Sequence, residues 1–403
     1  MRTDNRLHIH MLAPFGLRPK GTLAVRMLPM ARALVRRGYC VQINAPPIHN
    51  PQDAGRYDDF DGVGVWHTPL PRLPAPANVG EYVRLLLRPV LADPPDVLHL
   101  FKPKGYSGLA ALAARVICPH LSLVVDTDDW EGRGGWNDLL DYPPYARALF
   151  AWQERDLPRR ADVVSVASRT LQTQVWGGGV SPERVFYLPN GIASLPPALP
   201  LPAVDHPPTL LLYTRFWEFD VRDIIAMLVP LCQECPALRL RVVGKGERGE
   251  ERDLMEWATR AGVAEHIDNV GWVEPGDIPA LLASADIALV PMDDTLINRA
   301  RCSVKLLELM AAGLPVVAGR VGEVAEYLEH EQSGLLVAPG RPAEMVRATL
   351  RLLHNESFRA QLGAAARRRA GQFHWDSLVE VAEQAYAKAR EKTPARSRER
   401  KPE

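Results

Sequence analysis

SVKLLELMAAGLPVVAGRVGEVAEYLEHEQSGLLVAPG, residues 303–340, is the stretch from which the rest of the chain is read. Ser303 stands immediately before a run whose apolar residues recur at helical spacing, where a hydroxyl can accept from the first free amides. Gly313 ends the run, and glycine enters a left-handed C-cap without steric cost. PVVAGR (315–320) is a short β-branched run between breakers, which predicts a buried strand, and Gly334 to Val337 supply another. A helix start leaves bare amides pointing outward, a ready anion site. Lys305 adds a positive charge in the first turn, and Glu308 follows three residues later on nearly the same face. Amides and an ammonium beside a carboxylate suit a nucleoside diphosphate, with the carboxylate on vicinal ribose hydroxyls. A capped helix carrying a surface ion pair accounts equally for the same residues.

Working outward, the same alternation recurs on both sides. Upstream come TLLLYTRF (209–216), DIIAMLVPLCQEC (223–235), LRLRVVG (238–244), ERDLMEWATRAG (251–262), HIDNVGWV (266–273), DIPALLASA (277–285) and DIALVPM (286–292). The first half repeats the pattern with LHIHMLAP (7–14), a Gly-containing loop FGLRPKGT (15–22), a helix ending at Gly38, and YCVQINAP (39–46). VGVWHTPL, DVLHLF, SGLAALAARVI, LSLVVDTDD, ADVVSVAS and VFYLPNG continue it to Gly191. Strands alternating with amphipathic helices predict α/β units built on parallel sheets. ASLPPALPLPAVDHPP (193–208) is too rich in proline for a helix or a central strand. The expected organisation is therefore a doubly wound domain at 1–191, a linker at 192–208 and a second such domain at 209–373. A terminal helix at 374–390 and a polar tail at 391–403 complete it. Two doubly wound sheets in tandem predict a cleft, with ligands outside the carboxyl ends of the strands.

Composition narrows the field. At about 150 residues per domain, 403 residues suggest two domains or three. The 47% hydrophobic and 24% charged residues exclude a disordered chain, a collagen and a coiled coil. Lys+Arg and Asp+Glu both number 48, which argues against a polyanion binder and hence against nucleic acid. Up to residue 195 there are 22 basic and 18 acidic side chains, and beyond it 26 and 30. The first half is thus mildly basic and the second mildly acidic. No apolar run reaches the roughly 20 residues of a membrane span, and the N-terminus lacks a signal-peptide pattern. Five cysteines, odd in number, fit a reducing cytosol better than a disulfide framework. Cys232 and Cys235 form one CxxC with no evident second pair for zinc, and are expected to be ordinary residues at a helix end.

Several other loops carry candidate chemistry. Gly244-Lys245-Gly246-Glu247-Arg248-Gly249 is a literal GxGxxG after a strand, with Asp268 near the spacing of a dinucleotide fingerprint. It follows the second strand of its half rather than the first, which weakens an NAD(P) reading. Asp126, Asp128 and Asp129 end the strand LSLVVDTDD. Asp128, with Asp126, is expected to lie in the cleft between the two sheets; a strand-end aspartate capping a turn is the alternative. Asp-x-Asp is also a metal-binding pattern. His99 ends another strand, where a packed histidine is the alternative to a catalytic one. Trp130 and Trp136 flank a Gly-rich loop suited either to binding sugars or lipids on aromatic faces or, equally, to anchoring itself. His8 and His10 share one face of the first strand and receive no role.

Residues 303–340 closely resemble the donor-binding stretch of glycosyltransferase family 4, retaining enzymes of the GT-B fold. FGLRPKGTLAVRMLPMARALVRRGYCV, DVLHLFKP, VFYLPNGI, LLLYTRF, LRLRVVGKGE, ADIALVP and FHWDSLVEVAEQAY resemble further family segments in order, so the likeness spans about residues 7–390. It implies two Rossmann-like domains facing a central cleft, and transfer of a sugar from a nucleotide-diphospho-sugar with retention at the anomeric carbon. The acceptor would sit on the N-terminal domain and the donor on the C-terminal one. Arg215 matches the diphosphate-binding Arg, while Ser303, Val304 and Lys305 match the loop whose amides meet the phosphates. Glu308 matches the ribose-binding Glu, Gly244 and Gly246 the glycines beside the nucleotide, and Gly16 a glycine near the diphosphate.

Three departures are evident. The family usually has a second Glu eight residues before the one at Glu308, contacting the transferred sugar; here Ala300 stands there, with Asn298, Arg299 and Arg301 as substitutes. Its usual Lys a few residues after Arg215 is absent from FWEFDVRD, leaving Arg222 or Lys305. Its N-terminal His is replaced by the aspartates of LVVDTDDWEG, so the resemblance implies that Asp128, with Asp126, positions the donor sugar or the acceptor hydroxyl. The expected protein is thus a metal-independent, cofactor-free glycosyltransferase, cytoplasmic or peripheral to the inner membrane face. Its acceptor would be a glycan, a lipid-linked group or a small molecule. A non-catalytic sugar-nucleotide-binding protein, a GT-B epimerase or phosphorylase, and an NAD(P) enzyme remain alternatives.

Overall fold

The computed structural model describes residues 6–17, 21–196 and 206–391. The chain divides into two compact units. One runs from the N-terminus to Asn190 and includes the chain from Trp375 onward; the other is Gly191–His374. Ile192–Pro196, assigned above to a linker on proline content, belongs to the second unit. The Ile192 amide donates to Phe373 O at 2.9 Å, and Ile192 bridges His374. His206–Pro208 of that linker also belong to the second unit, whereas its residues 197–205, the loop residues 18–20 and the tail beyond 391 lie outside the described residues.

The first unit carries β1 (His8–Leu12), β2 (Cys40–Ala45), β3 (Tyr57–Phe60), β4 (Val63–His67), β5 (Val97–Phe101), β6 (Ser122–Thr127), β7 (Val163–Val166) and β8 (Val185–Tyr187). They form one sheet in the order β3-β4-β2-β1-β5-β6-β7-β8. Every pairing is parallel except β3 with β4. β1 pairs with both β2 and β5, so the winding reverses beside it, and the carboxyl ends of β1 and β5 flank the switch point. The strands read as continuous apolar runs because helices cover both faces of a parallel sheet. The helix Leu28–Arg36 packs against this sheet, and Gly38 just beyond it takes φ 91°. Helix Trp375–Arg390 seals the unit, with Trp375, Val379, Ala382 and Tyr386 buried among Ile9, Met11 and Val124.

The second unit is a six-stranded parallel sheet. Its strands are β9 (Thr209–Tyr213), β10 (Arg239–Val243), β11 (Ile267–Gly271), β12 (Ile287–Val290), β13 (Val316–Gly319) and β14 (Leu335–Val337). Their order is β11-β10-β9-β12-β13-β14, so the winding reverses at β9. The core joins β9, β10, β12 and β13 to helix Val221–Glu234 through Leu212, Val242, Leu289, Val317, Ile224 and Leu228. Cys232 and Cys235 lie at the end of that helix, both as free thiols. Among the described residues no helix is long and apolar enough to cross a membrane.

Candidate functional site

In the second unit the chain turns sharply at the carboxyl end of β9. The Thr214 amide donates back to Val243 O at 3.0 Å. Phe216 takes φ 65° while its amide donates to Thr214 Oγ1 at 2.8 Å. A bulky residue holds a left-handed backbone only where its surroundings over-determine it. The turn delivers Glu218, which is buried. Its Oε2 accepts from the Thr214 hydroxyl and its Oε1 from Arg301 Nη1, each at 2.9 Å. Burial alone would raise this carboxyl, but Arg301, Lys305 and the Thr214 hydroxyl together hold it below its ordinary value. Asn298 clamps the loop, its Nδ2 donating to Glu218 O at 2.8 Å and Asp293 O at 2.9 Å.

Against this turn stands the helix Val304–Ala312. Ser303 caps it, accepting from the Leu306 amide, and Gly313 ends it at φ 82°. Lys305 Nζ lies 4.5 Å from the centre of the Tyr213 ring. Burial pushes its ammonium down to about 7; Glu218 and Glu308 pull it up, and Arg301 and Arg215 push it further down. Tyr213 in turn is raised well above its ordinary value, first by burial and then by Glu308, to which its hydroxyl bonds. Arg215 is exposed and pairs loosely with Glu247 at 3.3 Å. Three cations, Arg215, Arg301 and Lys305, therefore gather around one helix start, with Glu218 and Glu308 among them. Such a site favours an anion with hydrogen-bonding hydroxyls attached.

The glycine loop after β10 does something else. Gly244 takes φ 129°, and a Cβ there would overlap Thr214 O, so glycine permits the close approach of the two loops. The Gly246 amide donates to Glu251 Oε2 at 3.1 Å and the Arg248 amide to Glu250 Oε2 at 2.9 Å. Carboxylates thus occupy amides that a dinucleotide fold would offer to pyrophosphate, and Asp268 pairs with Arg241 at 2.7 Å. Of the other expected residues, Arg299 forms a surface pair with Asp294, and Arg222 pairs with Asp220, which caps helix Val221–Glu234. Ala300 is fully buried.

In the first unit the aspartates separate by role. Asp126 is fully buried and held by Arg26, whose Nε and Nη2 donate to its two oxygens at 2.7 Å each. Arg26 comes from a wide helical turn, Leu23–Met27, and also bonds Asn190 Oδ1 at 3.0 Å and Leu188 O at 2.9 Å. Ser165 adds a 2.6 Å bond to Asp126. His99 sits beside this network, 2.9 Å from the Tyr386 hydroxyl, and burial pushes its imidazole down to about 4. These are the contacts of a neutral, packed histidine.

Asp128 is different. It accepts from the Thr22 hydroxyl at 3.0 Å, and Lys102 Nζ lies 3.6 Å from its other oxygen. Burial pushes the carboxyl up to about 6, with Lys102 pulling down and Asp129 and Asp126 adding to the rise. Lys102 also meets Asp129 at 2.7 Å and Glu131 at 3.3 Å, while Lys104 bonds Glu131 and Tyr142. Burial would depress the Lys102 ammonium, but these carboxylates hold it well above its ordinary value. Glu154 is raised well above its own, by burial first and then by Glu131. A carboxyl titrating near neutrality beside a fixed cation can accept a proton from a hydroxyl within reach.

Gly16 is buried, with space for a Cβ only 3.3 Å from Pro46 O. Trp130 donates its indole N–H to Arg133 O at 2.7 Å, so the Gly-rich loop folds back on its own aromatic anchor. Lys102, Lys104, Glu131, Glu154, Tyr213 and Glu218 were not singled out from sequence. KPK directly after the β5 run is a readable signal for the two lysines; Glu218 offers none.

Residues 207–355 match the family described as "Glycosyl transferases group 1", and residues 21–191 match the "Glycosyl transferase 4-like domain". The chain is 26% identical over 395 residues to the phosphatidyl-myo-inositol mannosyltransferase of Mycobacterium leprae, covering 93% of this chain and 94% of that protein. It is 35% identical over 176 residues to the D-inositol 3-phosphate glycosyltransferase of Salinispora arenicola, covering 41% of this chain and 38% of that one. Among solved structures, sucrose-phosphate synthase from Thermosynechococcus elongatus superposes with a TM-score of 0.72 at 19% identity, covering 95% and 98% of the two chains. Anabaena HepE in complex with UDP-glucose gives 0.67 at 18%, covering 95% and 100%.

Proposed function

Because this chain belongs to glycosyltransferase family 4 and is a nucleotide-sugar glycosyltransferase of the GT-B type, we propose that it transfers the sugar with retention and without a metal ion. The acceptor is carried by the first unit and the donor by the second. Lys305 carries the proposal. It is a half-buried ammonium pushed down to about 7, in the first turn of a capped helix and grouped with two arginines. A pyrophosphate placed there receives the helix amides and the charges of Lys305 and Arg215. Glu308, bonded to Tyr213, is left to receive ribose hydroxyls.

The leaving group of such a transfer is the nucleoside diphosphate, whose negative charge grows as the glycosidic bond breaks. Preorganised cations and amides stabilise that charge more in the transition state than in the ground state, and this lowers the barrier. The same cations supply the role a divalent ion would otherwise fill. Asp128 is the residue proposed to take the acceptor proton, and Asp126 and His99 to hold the strand end from which it projects. Asn298 and Arg301 steady the loop of Glu218, which places a carboxylate near the transferred sugar in the absence of one at Ala300. Inositol phosphates and phosphatidylinositol head the acceptor list because such compounds are named for the relatives.

The test begins with a thermal-shift panel of UDP, GDP, ADP and their common sugars, followed by product analysis with the stabilising donor. Arg215→Ala combined with Lys305→Ala is expected to abolish the shift and the turnover. Unchanged turnover in that variant would overturn the phosphate clamp, and an inverted anomeric centre would overturn retention. Donor binding with neither transfer nor slow donor hydrolysis would identify a non-catalytic binder instead.

A further inference from the structure

We propose that His8, His10 and Asp93 form a structural site for a divalent transition ion of the zinc type, apart from the transfer chemistry. On a β-strand residues i and i+2 project to the same face, so His8 and His10 of β1 present both imidazoles side by side. Their rings meet edge to face with centroids 4.6 Å apart, and both are buried. Asp93 ends the helix Asn78–Ala92 and brings its carboxylate to the same place, 3.4 Å from His8 Nδ1. One donor atom from each of the three lies within 4.8 Å of the others. A tetrahedral zinc with bonds of about 2.0–2.1 Å separates its ligand atoms by roughly 3.3–3.4 Å. The His8–Asp93 pair already has that separation, and the Asp93 side chain, 58% exposed, can swing to complete the set.

The surrounding structure fixes these ligands. The His8 amide donates to Asp96 Oδ2 at 2.8 Å, and the Asp96 amide donates to His8 O at 2.8 Å. This two-way clamp pins the loop carrying Asp93 over the start of β1. His10 Nδ1 lies 3.4 Å from the Asn44 side-chain amide, whose other end accepts from Gln42 at 2.7 Å. Turning the Asn44 and Gln42 amides over together keeps the bond between them and makes Asn44 Oδ1 the acceptor for a His10 Nδ1–H, leaving the Nε2 lone pair for the ion, the outer-shell arrangement metal-binding histidines use. Two imidazoles with one carboxylate select zinc, cobalt, nickel or copper over magnesium or calcium, which prefer oxygen alone. Position argues for a structural role. His8 opens β1, whereas Lys102 and Asp128 follow the carboxyl ends of β5 and β6, which run parallel within the same sheet.

The experiment uses full-length protein without a histidine tag, stripped with chelator and titrated with Zn²⁺ and, for its visible spectrum, Co²⁺. The expected result is about one ion per chain, a rise in Tm of at least about 2 °C, and unchanged nucleotide-sugar affinity. Asp93→Asn, a change at an exposed side chain, is expected to weaken Zn²⁺ at least about tenfold, and His10→Gln to remove the Co²⁺ spectrum. Stoichiometry far below one overturns the proposal. So does equal Zn²⁺ affinity in wild type and Asp93→Asn, which would put the ion elsewhere. Because nucleotide-sugar binding is read separately, failure here leaves the proposed transfer reaction standing.

Discussion

Raising the pH from about 6 to about 8 is expected to weaken binding of an intact nucleotide-sugar about tenfold. The cause is Lys305, whose ammonium burial brings down to about 7. Contact with a pyrophosphate favours the charged form and lifts that value out of the assay range. Only the protonated protein is then ready to bind, roughly nine-tenths of it at pH 6 and one-tenth at pH 8. The donor must be the intact sugar nucleotide, because a terminal phosphate has its own titration near pH 6. Isothermal titration in two buffers of different ionisation enthalpy counts the protons taken up. About half a proton is expected at pH 7 and about nine-tenths at pH 8. Lys305→Arg, charged throughout, should bind with little pH dependence. An affinity constant within twofold, with no proton uptake by the wild type, would refute the reasoning.

Two further outcomes follow from the first unit. Asp128→Asn should fold normally yet lower turnover by roughly 10²–10⁴-fold. In the wild type kcat/KM should rise with pH through about 6, as the carboxyl loses its proton and becomes a base. A fully active variant would remove Asp128 from the chemistry. Arg26→Met strands Asp126 as a buried, unpaired carboxylate and should destabilise the first unit by about 3–5 kcal/mol in chemical denaturation. A loss under about 1 kcal/mol would mean that Ser165 and the protein around it suffice to hold the charge.

What could be read in advance followed local rules. Ser303 and Gly313 are a cap and a stop that any helix would use, so the helix carrying Lys305 and Glu308 was legible residue by residue. The parallel strands were legible because burial on both faces writes an unbroken apolar run. β3 was not, since YDDF is an edge strand whose exposed face carries Tyr57 and Asp59. Glu218 acquires its meaning from Arg301, 83 residues away, and Asp126 from Arg26, 100 residues away. Spacing cannot announce a partner at that distance. The aspartate cluster therefore read as one group, whereas its members divide between an anchor held by an arginine and a carboxyl poised near neutrality. The GxGxxG likewise matched a pattern whose amides are already taken by Glu250 and Glu251.

The first unit is completed by helix Trp375–Arg390, so the second unit, Gly191–His374, is an insertion within it. During synthesis the first unit consequently cannot be completed until the second has emerged. Some 180 residues pass between Asn190 and Trp375, and at roughly 5–20 residues per second they take on the order of ten to forty seconds to emerge. Throughout that interval the first sheet exists without Trp375, Val379 and Tyr386, and His99 lacks its tyrosine partner. The inserted unit, contiguous in sequence, can close first. A ribosome that stalls before Trp375 therefore releases a chain whose later half can fold and whose earlier half keeps an open apolar face. That exposed face would mark the incomplete chain for chaperones and proteases.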